Sequence, residues 1–254
     1  MVFLQILSGP SGKQINKVQM KTIKIKSPGT VANLVCGFDI LGLALNEPAD
    51  WMELSLLDKP EVIIYNRDNY NLPTDPEKNV AGVVLLSIIE KMGEDIGFSL
   101  SVEKHIKPGS GIGSSAASAA GAAVAANQLL GNIFTNEELV QFAMNGEKLA
   151  SGVKHADNIA PCIYGGVTLI RSIHPLDIVS IPAPDMFVTV VHPQIEVRTA
   201  DARQILKQQV SLKDAIKQWG NIAGLVTGFM KGDYELIGRS LEDVIIEPVR
   251  SIII

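Results

Sequence analysis

Apolar and polar positions alternate at both ends of a short stretch near the start of the chain, where Ile23 and Ile25 interleave with Lys24 and Lys26. This is the period of a half-buried strand over Thr22 to Lys26. Pro28 and Gly29 in SPGTVAN are expected to end it. Leu41 to Leu45, Trp51 to Leu57 and Val62 to Tyr65 read as three further strands. The run Asn79 to Met92, with Val80, Val83, Val84, Leu86 and Ile88, is too long and unpunctuated for a strand and predicts a mostly buried helix. Alternation returns over Phe98 to Lys104 and leads directly into a glycine-rich loop. Ser115 to Leu130 is rich in Ala and free of Pro, which predicts a smooth-faced helix able to approach its neighbours closely. Thr135 and Glu138 form a capping box that opens a helix running to about Ala150. Its apolar stripe is Leu139, Phe142, Ala143, Gly146, Leu149 and Ala150, with Glu147 at the stripe's edge. Strands follow over Tyr164 to Arg171 and Met186 to His192, with SIHPLDIVSIPAPD between them as a connection between domains. Thr199 to Gln209, Ser211 to Lys231 and Asp233 to Ile245 complete the pattern as helices. Strands and helices mix without strict βαβ alternation, an α+β order, and there is no internal repeat.

Composition narrows this picture. The chain has 254 residues, 46% hydrophobic and 19% charged, enough for one large domain or two ordinary ones. A net charge of -5 and a pI near 5.4 argue against a general affinity for nucleic acid, which requires a basic face to neutralise phosphates. Cys36 and Cys162 lie far apart in apolar company and read as reduced, buried thiols of a cytoplasmic protein. No segment reaches the ~20 apolar residues of a membrane span. Val2 to Leu7 is apolar but lacks a basic flank and the length of a signal segment. GPSGK resembles a Walker A loop until Gln14 and Leu7 are found where the hydroxyl residue and the first Gly belong. Residues 1–19 therefore read as an extension outside the main fold.

The chemistry concentrates in PGSGIGSSAAS, that is Pro108, Gly109, Ser110, Gly111, Ile112, Gly113, Ser114, Ser115, Ala116, Ala117 and Ser118. It follows a strand and opens a helix. Glycines without side chains let backbone N–H groups approach phosphate oxygens, and the helix terminus adds the positive end of its dipole. Ser114 and Ser115 offer hydroxyls to phosphate or Mg²⁺. A dinucleotide fingerprint would need an acidic residue about 20 positions on, where LLGNIFTN has none. The loop reads as a phosphate holder of a nucleotide-dependent phosphotransferase.

This loop resembles the second motif of the GHMP kinases, the superfamily of galactokinase, mevalonate kinase and homoserine kinase. SPGTVANLVCGFDILGLAL at 27–45, EKLASGVKHADNIAPCIYGG at 147–166, HPQIEVRTADAR at 192–203 and EPVR at 247–250 resemble, in order and spacing, segments of the homoserine kinase family. The resemblance covers residues 20–254. It implies a two-domain GHMP kinase fold, with an N-terminal domain of the ribosomal protein S5 domain 2 type over 20–180 and an incomplete ferredoxin-like C-terminal domain over 181–254. It further implies ATP and Mg²⁺, a cytoplasmic enzyme of threonine biosynthesis, and L-homoserine as the small-molecule substrate. Neither nucleic acid nor membrane is an expected partner. Homodimers are common in the family, although no stripe in the sequence specifies one.

Homoserine carries an ammonium, a carboxylate and a reacting hydroxyl. Asp39 suits the ammonium, Arg203 and Arg250 suit the carboxylate, and His155 assists. Asn33 and Asn158 would bracket the hydroxyl. Glu147 resembles the family's Mg²⁺ ligand, working with Ser114 or Ser115. Asn158 stands where mevalonate kinase-like relatives hold a catalytic Asp. An amide is no base, so direct in-line attack on the γ-phosphate is expected, with the Asp157 carboxylate as the alternative base. A third family motif resembling GGxxGSGPS has no counterpart before Ile254. The expectation drawn from this is low stability and weak or absent kinase activity. Two rival readings remain, another GHMP kinase of mevalonate or sugar type and a non-catalytic nucleotide-binding relative.

Overall fold

The computed structural model describes residues 22–93, 95–191 and 203–252. Its centre is one sheet built around a long strand. Strand β1 is Thr22–Ala32, β2 is Leu41–Leu57, β3 is Val62–Asn66, β4 is Gly97–Glu103, β5 is Val167–Ile173 and β6 is Leu176–Ile181. Strand β2 pairs along one edge with β1; its other edge takes β4 beside residues 51–57 and β5 beside residues 41–43, all antiparallel. Strand β3 adds in parallel to β4, and β6 closes a hairpin on β5.

Three differences from the sequence reading have one cause, hydrogen-bond pairing that overrides local punctuation. Pro28 and Gly29 do not end β1: its register shifts between Pro28 and Thr30, and Thr30–Ala32 then pair with Ala44–Gly42. A bulge is where a strand tolerates a missing N–H. Leu41–Leu45 and Trp51–Leu57 are one strand, because β1 spans Asn46–Pro48 and holds both halves in line. The supposed connection at 172–185 contains β6, which folds back on β5 instead of leaving the sheet.

Helices α1 (Val80–Met92), α2 (Ser114–Leu129) and α3 (Asn136–Ser151) pack against one another, and α2 also lies on β1 and β2. Asn79 starts α1 by accepting from the N–H groups of Ala81 and Gly82. The Thr135–Glu138 capping box starts α3 as expected. Thirteen of the sixteen residues of α2 are buried, so its alanines set a short distance between helix and sheet. The main core joins Met52, Leu54, Phe98, Leu100 and Val102 of the sheet to Val84, Leu85 and Ile88 of α1 and the alanines of α2. A short helix, α4 (Ile159–Tyr164), takes in Tyr164, which read as the first residue of a strand; Gly165 and Gly166, both at positive φ, redirect the chain, and the strand begins at Val167.

The C-terminal helices are α5 (Leu212–Lys231), α6 (Tyr234–Ser240) and α7 (Glu247–Arg250). Leu225, Phe229 and Ile237 share a second core with Cys36, Leu41, Leu43, Val167 and Ile181. The helix expected over Asp233–Ile245 stops at Ser240. Asp243 is buried and its carboxylate accepts from the N–H groups of Ile245, Ile246 and Glu247, which turns the chain out of the helix. Residues 186–191 carry no strand, while His192 lies outside the described residues, as do 199–202 of the expected helix over Thr199–Gln209. Arg203 and Gln204 are helical and 205–210 is irregular. No helix among the described residues is long and apolar enough to cross a membrane.

Candidate active site

A cleft of about 590 Å³ opens at the N-terminus of α2. Its floor is the glycine loop. Gly109, Gly111 and Gly113 all have positive φ, and Gly113 forms the N-cap of α2 without a side-chain bond. The first N–H groups of α2 thus remain for a ligand's anionic oxygens. A Cβ on Gly113 would lie 2.1 Å from Thr30 Oγ1, so this position excludes every other residue on two grounds.

A buried ion pair supports the loop from beneath. Lys104 and Asp50 have side chains 2% and 0% exposed and are in direct contact. Lys104 Nζ also donates to the Ser114 carbonyl at 2.9 Å and to Ser118 Oγ at 2.8 Å, which ties the first turn of α2 to the end of β4. Asp50 Oδ1 accepts from the N–H groups of His105 and Ile106. Burial pulls the Lys104 ammonium below its ordinary pKa, and the Asp50 charge resists that pull. The pair is satisfied on every side, the condition under which a buried ion pair is tolerated.

The two loop serines diverge. Ser114 Oγ donates to the Ile106 carbonyl at 2.9 Å, whereas Ser115 Oγ donates to Glu147 Oε2 at 2.9 Å across the cleft from α3. A hydroxyl and a carboxylate oxygen therefore meet at the edge of the glycine-loop floor. That donor set is hard, suited to Mg²⁺, which takes one or two carboxylates and fills its remaining positions with water and phosphate oxygens. Among the described residues no cluster of three or more acidic, His or Cys side chains could hold a metal alone. Of the other loop residues, Pro108, Gly109, Gly111, Gly113 and Ser118 line the cleft, and Ser110 Oγ is buried without a partner. Ala116 and Ala117 are wholly buried, with their methyl groups in the core.

The opposite end of the cleft is charged. The segment after β1 holds Asn33, Leu34, Val35 and Asp39 at positive φ, a tight arch closed by the Asp39 N–H donating to Asn33 Oδ1 at 2.9 Å. Arg203 Nη2 donates to Asp39 Oδ1 at 2.5 Å and lies 3.3 Å from His155 Nδ1. The guanidinium carbons of Arg203 and Arg250 stand 5.3 and 4.7 Å from the centre of the Phe38 ring, so one aromatic ring meets both cations. The Nε atoms of both arginines and Nε2 of His155 are buried without partners. Arg250 reaches this place through Gln218 of α5, whose amide donates to the Cys36 carbonyl and to Asp243, whose carboxylate in turn accepts from the Glu247 N–H at the start of α7. Burial and the Arg203 charge depress the His155 pKa, which keeps the ring neutral near pH 7.

Asp157 and Asn158 sit between the two ends. Asp157 is 4% exposed, and burial, with the nearby Asp39 charge, pushes its carboxyl up to about 6 despite the Asn158 N–H donating to it. Asn158 Oδ1 accepts from Thr30 Oγ1 at 2.8 Å.

Asn33, Asp39, His155, Arg203, Arg250, Glu147, Asp157 and Asn158 thus meet in one cleft from five separated stretches of sequence. Asp39 and Arg203, expected to hold opposite ends of a substrate, hold each other. Sequence reasoning missed Thr30, Phe38, Asp50 and Lys104. Lys104 closes an alternating strand, and Asp50 directly precedes the strand that opens at Trp51; a charge at an inward strand position was the available signal.

The family model for the GHMP kinases N terminal domain matches residues 79–166. The homoserine kinase of Chloroherpeton thalassium is 46% identical over 245 residues, covering 91% of this chain and 77% of that one. The homoserine kinase of Methanococcus maripaludis (strain C5) is 42% identical over 234 residues, with the same coverage. The crystal structure of homoserine kinase from Cytophaga hutchinsonii superposes with a TM-score of 0.83 at 45% identity, covering 96% of this chain and 78% of that one. Mevalonate kinase from L. major, at 16% identity and a TM-score of 0.63 over 87% of this chain and 74% of that one, shares the fold.

Proposed function

The chain belongs to the homoserine kinase family of the GHMP kinases, and from that premise we propose that its cleft transfers the γ-phosphoryl group of ATP to the hydroxyl of L-homoserine, giving O-phospho-L-homoserine and ADP. One observation carries the reading: a phosphate loop with a hydroxyl–carboxylate pair at its edge lies in the same cleft as an anion and two stacked cations. The second group is complementary to an α-amino acid. Asp39 suits the ammonium, and Arg203 and Arg250 suit the carboxylate. In the free protein Asp39 and Arg203 neutralise each other, so a bound zwitterion replaces one ion pair by two without leaving a buried charge unpaired.

The loop N–H groups and Ser110 would hold the nucleotide's phosphates, with Ser115 and Glu147 as the protein ligands of Mg²⁺. When bound, the metal supplies charge neutralisation of the phosphates. Phosphoryl transfer has a loose transition state, so positioning and charge carry most of the rate. Asn158 bounds the path between the two halves. The hydroxyl oxygen forms its bond to phosphorus as the bond to the ADP oxygen breaks, ADP leaves with that electron pair, and the hydroxyl proton passes to a phosphoryl oxygen. Asp157 is the alternative acceptor.

A coupled ADP-release assay with L-homoserine, mevalonate, galactose and threonine tests the reading. Turnover with homoserine alone is expected. Equal turnover with mevalonate or galactose would point to another kinase of the superfamily, and nucleotide binding without ADP release to a non-catalytic relative.

A further inference from the structure

Thr30 touches both halves of the site. Its N–H donates to the Ile112 carbonyl at 3.1 Å, which fixes the phosphate loop to β1. Its side chain fills the space beside Gly113, and the residue is fully buried. Its hydroxyl donates to Asn158 Oδ1. A primary amide has one end that accepts and one that donates. With Oδ1 turned to Thr30, the two N–H bonds of Nδ2 diverge from it, and they take no partner among the described residues although Asn158 lines the cleft.

We infer that Thr30 is a positioning residue: its hydroxyl locks the Asn158 amide with the donor end towards the reacting oxygens. The inference rests on the reading of Asn158 beside the substrate hydroxyl. Asn158 then stabilises negative charge on the attacking or phosphoryl oxygen and takes no proton. Because the same threonine is hydrogen-bonded to Ile112 and packed against Gly113, it also sets the distance between this donor and the phosphate floor. An amide free to flip would spend part of its time with an acceptor facing the phosphates, where like partial charges repel.

The test compares Thr30→Val, Thr30→Ser, Asn158→Ala and the Thr30→Val/Asn158→Ala double variant. Val keeps the volume and loses the hydroxyl; Ser keeps the hydroxyl and loses the methyl. A lock makes Val the worse replacement, whereas a packing role makes Ser the worse. We expect Thr30→Val to lower kcat roughly 10- to 100-fold, the worth of one hydrogen bond at a reacting oxygen, with KM for ATP within about twofold. Thr30→Ser should stay within about threefold of the unaltered protein. On the Asn158→Ala background the Val change should cost nothing further, since the group it orients is gone. Unchanged kcat in Thr30→Val, or an equal loss on both backgrounds, overturns the inference. If the unaltered protein releases no homoserine-dependent ADP, the parent reading fails, and the Asn158 side-chain amide decides the orientation separately. In protein labelled with ¹⁵N-asparagine its signal, assigned by its loss in Asn158→Ala, should shift when Mg-ATP is added without homoserine. A shift lost in Thr30→Val and kept in Thr30→Ser supports the lock. A shift that survives in Thr30→Val, or is missing in the unaltered protein, overturns it.

Discussion

Replacing Asp157 by Asn should make the protein more stable at neutral pH. The carboxyl is 4% exposed, lies near the charges of Asp39 and Glu147, and has its pKa pushed from an ordinary 3.8 to about 6. A folded-state pKa above the unfolded one means that the folded protein binds the proton more tightly. The stabilisation is present in full below about pH 4 and is lost as the pH rises through 6. A gap of about two pH units at 1.36 kcal/mol each is on the order of 3 kcal/mol, an upper figure once local relaxation is allowed. Asn keeps a carbonyl oxygen to accept from the Asn158 N–H and carries no charge to desolvate. Urea unfolding of both proteins at pH 4, 5, 6 and 7.5 should show a difference near zero at pH 4 that grows in favour of Asp157→Asn and levels off above pH 6. Other carboxylates titrate in both proteins and cancel in the difference. A difference independent of pH, or a variant less stable at pH 7.5, would refute the argument. The same variant decides the fate of the substrate proton. Direct transfer predicts turnover within about threefold, because little proton removal is needed early, whereas a loss of about a hundredfold together with the acid limb of the rate profile near pH 6 would make Asp157 the base.

Other perturbations separate the parts of the site. Arg203→Ala should raise KM for homoserine roughly 10- to 100-fold, the worth of a charge-assisted hydrogen bond, and leave KM for ATP unchanged; steady-state kinetics with each substrate varied checks this. Lys104→Met strands Asp50 in the core and should destabilise the protein by about 3–5 kcal/mol, read from the urea midpoint; a loss below about 1 kcal/mol would show that Asp50 finds another cation. Gly113→Ala forces a Cβ into a positive φ and against Thr30, and should abolish nucleotide binding in calorimetry while the far-ultraviolet dichroism of the fold stays intact. Ser115→Ala and Glu147→Ala should each raise the Mg²⁺ concentration for half-maximal rate by roughly tenfold or more, a shift that Ser114→Ala, whose hydroxyl serves Ile106, should not produce.

The order of motifs along the chain, the glycine loop between a strand and an Ala-rich helix, the capping box at Thr135 and the charged residues suited to an amino acid were all legible in the sequence. Each is a local signal, written in the period of a pattern, the absence of a Cβ or the chemistry of a single side chain. Pairing is not local. Whether Pro28 ends β1, whether Asn46–Pro48 divides β2 and whether 172–185 leaves the sheet were decided by partners far along the chain. The electrostatics of the cleft belonged to tertiary structure for the same reason. Asp39 and Arg203 are 164 positions apart, Lys104 and Asp50 are 54 apart, and Thr30 and Asn158 are 128 apart; only the folded chain brings each pair within hydrogen-bonding reach. The sequence by itself determined which charged, hydroxyl and amide groups the cleft has to offer, since that follows from residue type. Which of them neutralise each other, which carboxyl is buried enough to titrate near 6 and which end of an amide faces the cleft follow from distance and burial, and the tertiary structure decided those.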